Sequence, residues 1–406
     1  MPAAGSGRAD TGLWYRFLYR AFAEFNYHRV RMVDPPPASD LPTLYLGLHR
    51  NGALDGAVYR LLAPRMAMTP ASQLRRDLFS RLIFTGIEIL RVGDRQRDGS
   101  RINNAEAFRH CAEHLAAGGD LLFFPEGTSD LGPAHLPFKP GVAKLIQATL
   151  AIAPALRIVP LAAHYEDPTV WQSNVEVLAG APFRVTGEQD RRDLMARITA
   201  ALEAVSLDCA TLEERRQIEA LAYAATLGSG LSYARALKII ADWRDEVLTA
   251  EWQALQAQAA AEGLRLHQGV PLLPLAGPPL YLAGLIVLSP LLAVAALANL
   301  PVLAACRWAT RRFPDAPNVI ALWRAIAGVG SALLWVPLAT LLAGWLGGMA
   351  AALAYLAFSA LGLKSLYRWR KLVITVHNGW RASTDLRQRL KTLHAGLVQR
   401  VLGDCR

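Results

Sequence analysis

The sequence predicts an α/β domain with helices on both faces of its sheet, followed by helical hairpins in a membrane. Strand and helix signals alternate from about residue 40 to residue 190, which is typical of such a sheet. Two later runs, Gly269 to Cys306 and Ala325 to Leu363, contain no Asp, Glu, Lys or Arg. Each run is about twice the roughly 20 residues that one membrane span needs, so each is predicted to hold two antiparallel arms. A soluble helical domain is the alternative, but its helices would need a polar face.

Residues 1–39 are predicted to form an amphipathic interfacial helix and a linker. In LWYRFLYRAFAEF, residues 13–25, the apolar side chains recur at helical spacing, while Arg16 and Arg20 fall off that stripe. The aromatic face suits a membrane interface, and packing against the chain's own domain is the alternative interpretation. The first residues are polar and form no secretory signal, so this part is expected in the cytoplasm. The linker is DPPPASD, residues 34–40.

The elements after the linker are predicted in a regular order. Residues 40–190 form the α/β domain, 191–268 a helical extension, 269–363 the two hairpins and 364–406 a basic C-terminal helix. Within the α/β domain, strands are predicted at 43–48, 87–92, 120–124, 157–163 and 175–178, with helices after residue 55, at 103–117 and at 142–152. Because Gly and Pro mark bends, the hairpins are predicted to turn at Ser289–Pro290 and at Gly344–Gly348.

Basic residues flank the apolar runs and indicate their orientation. The net charge of +10 favours membrane lipids over nucleic acid as the partner. By the positive-inside rule, all soluble parts are expected in the cytoplasm, at a bacterial inner membrane. Arms of about 17 to 19 residues are near the lower limit for crossing, so re-entrant hairpins are the alternative. The basic residues concerned are Arg307, Arg311, Arg312, Arg324, Lys364, Arg368, Arg370 and Lys371.

Reactive side chains follow the predicted strands at the edge of the sheet where α/β proteins place their sites. His49 ends the first strand, and Asp55 follows six positions later. The third strand runs into FFPEGTSD, residues 123–130, with PFKPG at 137–141. A histidine can accept a hydroxyl proton near neutral pH, and a carboxylate on its other ring nitrogen would orient it. These residues indicate a base with its orienting carboxylate, and a turn that happens to hold a histidine is the alternative interpretation of the stretch taken alone.

These blocks together resemble the glycerolipid acyltransferase superfamily, which includes the lysophosphatidate and glycerol-3-phosphate acyltransferases. His49 and Asp55 resemble its HxxxxD motif, although RNGAL makes the spacing one residue longer. The second block resembles TGIEILRVGD, residues 85–94, the third FPEGTS, and the fourth RIVPLAAHYED, residues 157–167. Many relatives carry an arginine where Ser129 stands here. The resemblance covers about residues 40 to 190.

The resemblance implies roles for particular residues. His49 would be the general base, Asp55 its orienting partner, and Glu126 a residue that holds the acceptor or fixes the site. Arg91 would bind the acceptor phosphate, with contributions from Arg95, Lys139 and the backbone of Gly127 and Thr128. A thioester donor is already activated, so no metal and no cofactor is expected. The catalytic residues are His49, Asp55 and Glu126, and the substrate-binding residues are Arg91, Gly127, Thr128, Arg95 and Lys139.

The function implied is a membrane-bound O-acyltransferase of phospholipid biosynthesis. It would move a fatty acyl group from acyl-CoA or acyl carrier protein to a hydroxyl of glycerol 3-phosphate or a lysophospholipid such as lysophosphatidate. Two alternatives are kept. One is a non-catalytic membrane scaffold that binds anionic lipid, against which the joint presence of His49, Asp55 and Glu126 argues. The other is an acyltransferase for a non-glycerol acceptor, which only an assay with several acceptors would distinguish.

Overall fold

The structure, a computed structural model, describes residues 12–70, 78–87, 104–243, 245–275 and 278–404. It divides the chain into two compact units. The first comprises Met1–Ala23, Val30–His164 and Glu176–Asp208. The second comprises Glu24–Arg29, Tyr165–Val175 and Cys209–Arg406.

A mixed sheet of seven strands organises the α/β part. The strands are β1 (Tyr27–Val33), β2 (Thr43–Gly47), β3 (Met66–Ala67), β4 (Asp120–Phe123), β5 (Ala155–Tyr165), β6 (Ser173–Ala179) and β7 (Phe183–Thr186). Their order is β1-β6-β5-β2-β4-β3, and β7 pairs with β5. β2 lies parallel between β4 and β5, whereas β7 is antiparallel to β5. The predicted α/β class with a mixed sheet and helices is confirmed.

Six helices in the described residues accompany the sheet, and buried apolar side chains from helices and strands form its core. They are α1 (Leu13–Asn26), α2 (Ala53–Leu62), α3 (Leu78–Ile83), α4 (Asn104–Ala116), α5 (Gly141–Leu150) and α6 (Arg191–Glu203). Leu44 and Leu46 of β2 are almost fully buried, as are Leu145 and Ile146 of α5. The side chain of Asp190 caps α6 by accepting hydrogen bonds from the backbone nitrogens of residues 192 and 193.

The sequence patterns missed three strands. β1, YHRVRMV, alternates large polar and apolar residues and occupies one end of the strand order, so it lacks a continuous apolar run. β3 has two residues and β7 four, which is too short for a periodic signal. The predicted strand at 87–92 lies outside the described residues except for Ile87.

The second unit is mainly helical. It contains α7 (Leu212–Thr226), α8 (Tyr233–Trp243), α9 (Glu246–Ala261), β8 (Leu266–His267), β9 (Val270–Pro271), α10 (Pro278–Ala298), α11 (Leu300–Arg312), α12 (Ile320–Arg381) and α13 (Thr384–Asp404). The helical extension predicted for residues 191–268 is populated by α6 to α9, with a short two-stranded ribbon after them. Residues 364–381 continue α12, so the C-terminal helix α13 begins only at Thr384.

α12 bends back on itself at Gly347 and Gly348, whose backbone angles are not helical. Gly348 has φ +73°, a left-handed value that glycine adopts without strain. The bend falls within the predicted Gly344–Gly348 segment. It divides α12 into a first arm, residues 320–346, and a second arm, residues 349–381.

α10 and α11 form a second hairpin that turns at Asn299. Ser289 of α10 accepts a hydrogen bond from the Trp369 indole on the second arm of α12. The thiol of Cys306 in α11 contacts the carbonyl of Arg324 on the first arm. α10 therefore follows the second arm, and α11 returns along the first.

The predicted bend at Ser289–Pro290 is wrong. Pro290 lies inside α10, and the hydroxyl of Ser289 donates to the carbonyl of Leu285 one turn earlier. A proline removes only one helical hydrogen bond, which an apolar helix can tolerate. The turn occurs instead at Asn299, whose side chain bonds Tyr355 and Ser359 on the second arm.

Two helical stretches in the described residues are long and apolar enough to span a membrane. They are Pro279–Ala298 and Pro317–Arg381, the latter containing both arms of α12. Their large apolar side chains are mostly exposed, in contrast to those of a soluble core. The most exposed include Leu280, Val287, Leu297, Leu334, Leu341, Trp345, Leu346 and Met349.

Candidate active site

His49 and Asp55 form a buried pair at the carboxyl end of β2. Nδ1 of the His49 ring lies 3.0 Å from Oδ2 of Asp55, and neither side chain is more than 3% exposed. With Nδ1 directed at the carboxylate, Nε2 is the ring nitrogen that can accept a proton from a substrate. The structure therefore brings together the two residues that the sequence motif singled out.

The turn between β2 and α2 determines how the carboxylate reaches the ring. Gly52 immediately precedes α2 and has φ +55°, so a left-handed residue turns the chain into the helix. Asp55 is the third residue of α2, and its Oδ2 also accepts hydrogen bonds of 2.7 Å from the backbone nitrogens of Arg50 and Asn51. These two donors fix the position of the carboxylate. Asp55 thus accepts hydrogen bonds from the turn that precedes α2 and is also the partner of His49.

Two aromatic residues fix the position of the His49 ring. The Phe124 ring stacks on it with 4.1 Å between centroids and 19° between planes. The hydroxyl of Tyr59 donates to the carbonyl of Leu48, 2.9 Å away, and accepts from the amide of Ala163. A Cβ on Gly47 would lie about 3 Å from both aromatic rings, so only glycine leaves room for them. The His49 ring is therefore packed on one face, and the backbone beside it is fixed.

Glu126 joins two backbone segments of the site. Its Oε1 accepts a 2.7 Å hydrogen bond from the His49 amide, and its Oε2 accepts one of 3.0 Å from the Leu136 amide. Burial raises the pKa of Glu126 to about 7, while these two amides act in the opposite direction. Both carboxylate oxygens of Glu126 therefore accept hydrogen bonds from backbone amides. This geometry favours fixing the site over holding the acceptor, the two roles the sequence left open.

Arg50 fastens the loop that follows Glu126, a role that the sequence analysis missed. It is 8% exposed, and its guanidinium donates to the carbonyls of Gly132, at 2.7 Å, and Ala134, at 3.2 Å. The amide of Asp130 donates to the carbonyl of His49 at 3.1 Å. The only local signal was an arginine directly after the motif histidine, because the loop that it binds lies about 80 residues later in the sequence.

Gly127 and Lys139 are also brought together at this edge. Gly127 has φ +71°, and a Cβ there would lie 2.8 Å from Nζ of Lys139. The glycine therefore lets an ammonium group approach the backbone of the FPEGTS loop. Thr128 is exposed on the same loop. Arg91 and Arg95, the predicted phosphate ligands, lie outside the described residues.

Comparisons with known proteins agree on this part of the chain. Residues 28–164 match the family model described as Acyltransferase. A glycerol-3-phosphate O-acyltransferase 2 of Saccharomyces cerevisiae is 32% identical over 104 residues, which are 25% of this chain and 14% of that protein. The chain thus spans about a seventh of that relative's length.

One solved structure is also similar, the crystal structure of the 1-acyl-sn-glycerophosphate (LPA) acyltransferase PlsC from Thermotoga maritima. The superposition covers 47% of this chain and 76% of that chain, with 16% sequence identity and a TM-score of 0.35.

Proposed function

We propose that the chain is an O-acyltransferase acting on a glycerolipid precursor, because residues 28–164 match the family model described as Acyltransferase. The observation that carries the proposal is the buried His49–Asp55 pair at the end of β2. A positioned imidazole with an orienting carboxylate is what proton removal from a hydroxyl requires.

The proposed reaction transfers a fatty acyl group from a thioester, acyl-CoA or acyl carrier protein, to an acceptor alcohol. Nε2 of His49 takes the hydroxyl proton while the oxygen bonds to the thioester carbonyl carbon. The carbon–sulfur bond then breaks, and the departing thiolate receives the proton from the imidazolium. Asp55 stabilises that imidazolium between the two steps. The acyl group ends as an ester, and neither an oxidant nor a metal enters the balance.

The acceptor is proposed to be glycerol 3-phosphate or lysophosphatidate. Lys139 brings positive charge to the Gly127 loop, and Arg91 is predicted to add a bidentate donor for the phosphate. The two acceptors share the phosphate and differ in the acyl chain, so the geometry described here supports both equally.

Membrane attachment is proposed through the two hairpins, with the soluble parts in the cytoplasm of a bacterium. The exposed apolar side chains of α10 and α12 support it, because such surfaces are costly in water. Exposed Arg307, Arg311 and Arg312 at the end of α11, together with exposed Arg368 near the end of α12, are placed as the positive-inside rule expects.

The test is an acyl-transfer assay on membranes that contain the full chain. Radiolabelled acyl-CoA and acyl carrier protein would each be offered with glycerol 3-phosphate, lysophosphatidate and monoacylglycerol, followed by lipid separation. We expect labelled ester with a phosphorylated acceptor, and none above background with His49→Ala membranes. Equal labelling by wild type and His49→Ala would favour the scaffold alternative. Labelling of monoacylglycerol alone would favour a different acceptor.

A further inference from the structure

Two arginines of the second unit, one buried and one half-buried, each carry a buried donor with no hydrogen-bond partner among the described residues. Arg324, on the first arm of α12, is 9% exposed, and its Nη1 is buried with no hydrogen-bond partner among the described residues. Nε of Arg370, on the second arm, is also buried with no hydrogen-bond partner among the described residues. A buried donor left unpaired costs free energy, and more so in a charged group. These two atoms therefore indicate an acceptor that the described residues do not provide.

The two guanidinium groups are held against one segment. Nη2 of Arg324 donates to the carbonyl of Thr169, and Nη2 of Arg370 donates to the carbonyl of Gln172 at 3.0 Å. They are close enough for the positive charge of Arg370 to act on Arg324. Two like charges that repel each other away from bulk water are a costly arrangement that a bound anion would relieve.

The charge of Asp167 acts on both arginines and that of Glu166 on Arg370, but both carboxylates form their hydrogen bonds with other groups. Oδ1 of Asp167 accepts from the amide and hydroxyl of Thr169, at 2.8 and 2.7 Å. The Glu166 carboxylate accepts from the Tyr367 hydroxyl, at 3.0 and 3.2 Å to its two oxygens, and from the Asn174 amide at 2.8 Å. No carboxylate in the described part of the chain forms a salt bridge with Arg324 or Arg370. The positive charge of the pair is therefore not neutralised by an ion pair.

The position of the pair along the hairpin identifies the anion. Arg324 lies 23 residues before Gly347, and Arg370 lies 22 residues after Gly348 (347 − 324 and 370 − 348). At 1.5 Å per residue, both are about 33 to 35 Å from the bend. The hydrocarbon core of a bilayer is about 30 Å thick. An apolar hairpin inserted to that depth would place both guanidinium groups at the level of lipid phosphates.

We infer that Arg324 and Arg370 together bind the phosphate of an anionic phospholipid at the base of the α12 hairpin. Arg324 Nη1 and Arg370 Nε supply the donors, and arginine is suited to phosphate because its donors lie in one plane. The inference rests on the membrane placement in the proposed function, but not on acyl transfer. The site is built entirely from the second unit.

The test measures lipid binding by the purified full chain in a nonionic detergent, using native mass spectrometry. Dioleoylphosphatidylglycerol is compared with dioleoylglycerol, which lacks the phosphate, and with inorganic phosphate, which lacks the chains. We expect Arg324→Met and Arg370→Met each to weaken phosphatidylglycerol binding at least about tenfold, as for a lost charged hydrogen bond. Arg368→Met is the matched control, because Arg368 is exposed on the same helix, and we expect it to weaken binding less than about threefold.

Three further variants keep the test decisive. Arg324→Lys and Arg370→Lys retain the charge, so they should fold and bind with intermediate affinity. The double Met variant should lose less than the product of the single losses, because both residues hold one phosphate.

Equal binding of dioleoylglycerol, or equal loss in Arg368→Met, would overturn the site. Binding of inorganic phosphate with the same dependence on both arginines, and no gain from acyl chains, would overturn the lipid assignment. Acyl transfer measured on the same samples separates this result from the proposed function, since a protein can fail either test alone.

Discussion

Oδ2 of Asp55 lies 3.0 Å from Nδ1 of His49, in a position that two backbone amides of the same turn also fix. The carboxylate is therefore not free to follow the ring, and the ring must align to the carboxylate. A base held in this way loses little freedom when it accepts a proton. The first three predictions test this arrangement.

Asp55→Asn should lower kcat by about two to four orders of magnitude while changing the acceptor KM little. The amide oxygen can still accept the backbone hydrogen bonds, but the charge that stabilises the imidazolium is lost. Steady-state kinetics would measure both constants. Asp190→Asn, which keeps a good helix cap, is the control and should leave kcat unchanged. A rise in KM with an unchanged kcat would contradict the orienting role.

His49→Ala should reduce turnover by about two to four orders of magnitude, the range of general-base catalysis. The protein should still fold, so thermal unfolding measured alongside should show a cooperative transition. His110→Ala is a suitable control on α4, outside the site. Wild-type rates in a folded His49→Ala protein would rule out the proposed mechanism.

Glu126 should make stability depend on pH around neutrality. Its pKa is raised by burial to about 7 from an ordinary value near 4.5, so the folded state holds a proton that the unfolded state releases between these values. The contribution is present below about pH 4.5 and is lost as pH rises through about 7. Unfolding measured from pH 4 to 8 should show wild type losing stability relative to Glu126→Gln.

Glu126→Gln should also lower activity at every pH. The side-chain nitrogen of the new glutamine would face the backbone amide of either His49 or Leu136. Two hydrogen-bond donors would then face each other, and one of the two backbone hydrogen bonds would be lost. A stability difference that stays constant with pH would show that Glu126 does not titrate in this range.

Lys139→Met should raise KM for a phosphorylated acceptor roughly tenfold, as expected for the loss of a charged hydrogen bond. The KM for monoacylglycerol, where it can be measured, should change little. Lys144→Met, an exposed lysine on α5, is the matched control. Equal effects on both acceptors would show that Lys139 supports the loop and does not bind phosphate.

The two hairpins should differ in how far they enter the bilayer. From Arg324 to Leu346 the first arm rises through 22 residue steps (346 − 324), or about 33 Å, enough for a core of about 30 Å. The Asn299 turn contacts Tyr355 and Ser359, which lie 7 and 11 residues after Gly348 (355 − 348 and 359 − 348), so it stops about 10 to 17 Å short of the bend. In a cysteine-free background, Gly348→Cys should react with an impermeant reagent only from the far side, and Asn299→Cys from neither side.

Arg311→Cys should react only from the cytoplasmic side in the same experiment. The protein should also resist extraction by salt and alkali, because buried apolar surface is not screened by ions. Labelling of Arg311→Cys only from the far side would show that α10 and α11 do not return to the cytoplasmic side.

Local patterns were sufficient for most of the sheet and for the reactive pair. β2, β4 and β5 are largely buried. A strand covered on both faces is apolar along its whole length, so a continuous apolar run predicts it. His49 and Asp55 are six positions apart, so one turn relates them. Features that depend on distant residues were missed: Arg50 binds a loop around residue 133, and the Asn299 turn is set by hydrogen bonds to an arm some 60 residues later.

Gly52 has a consequence for how such sites are recognised and altered. Five residues separate His49 from Asp55: Arg50 to Gly52 form the turn, and the other two begin α2. The left-handed Gly52 sets the direction in which α2 leaves the turn, and so where its third residue meets the His49 ring. Gly52→Val would keep the length of the turn but disfavour this backbone angle. A substitution at this one position would therefore displace the carboxylate from the ring without changing either His49 or Asp55.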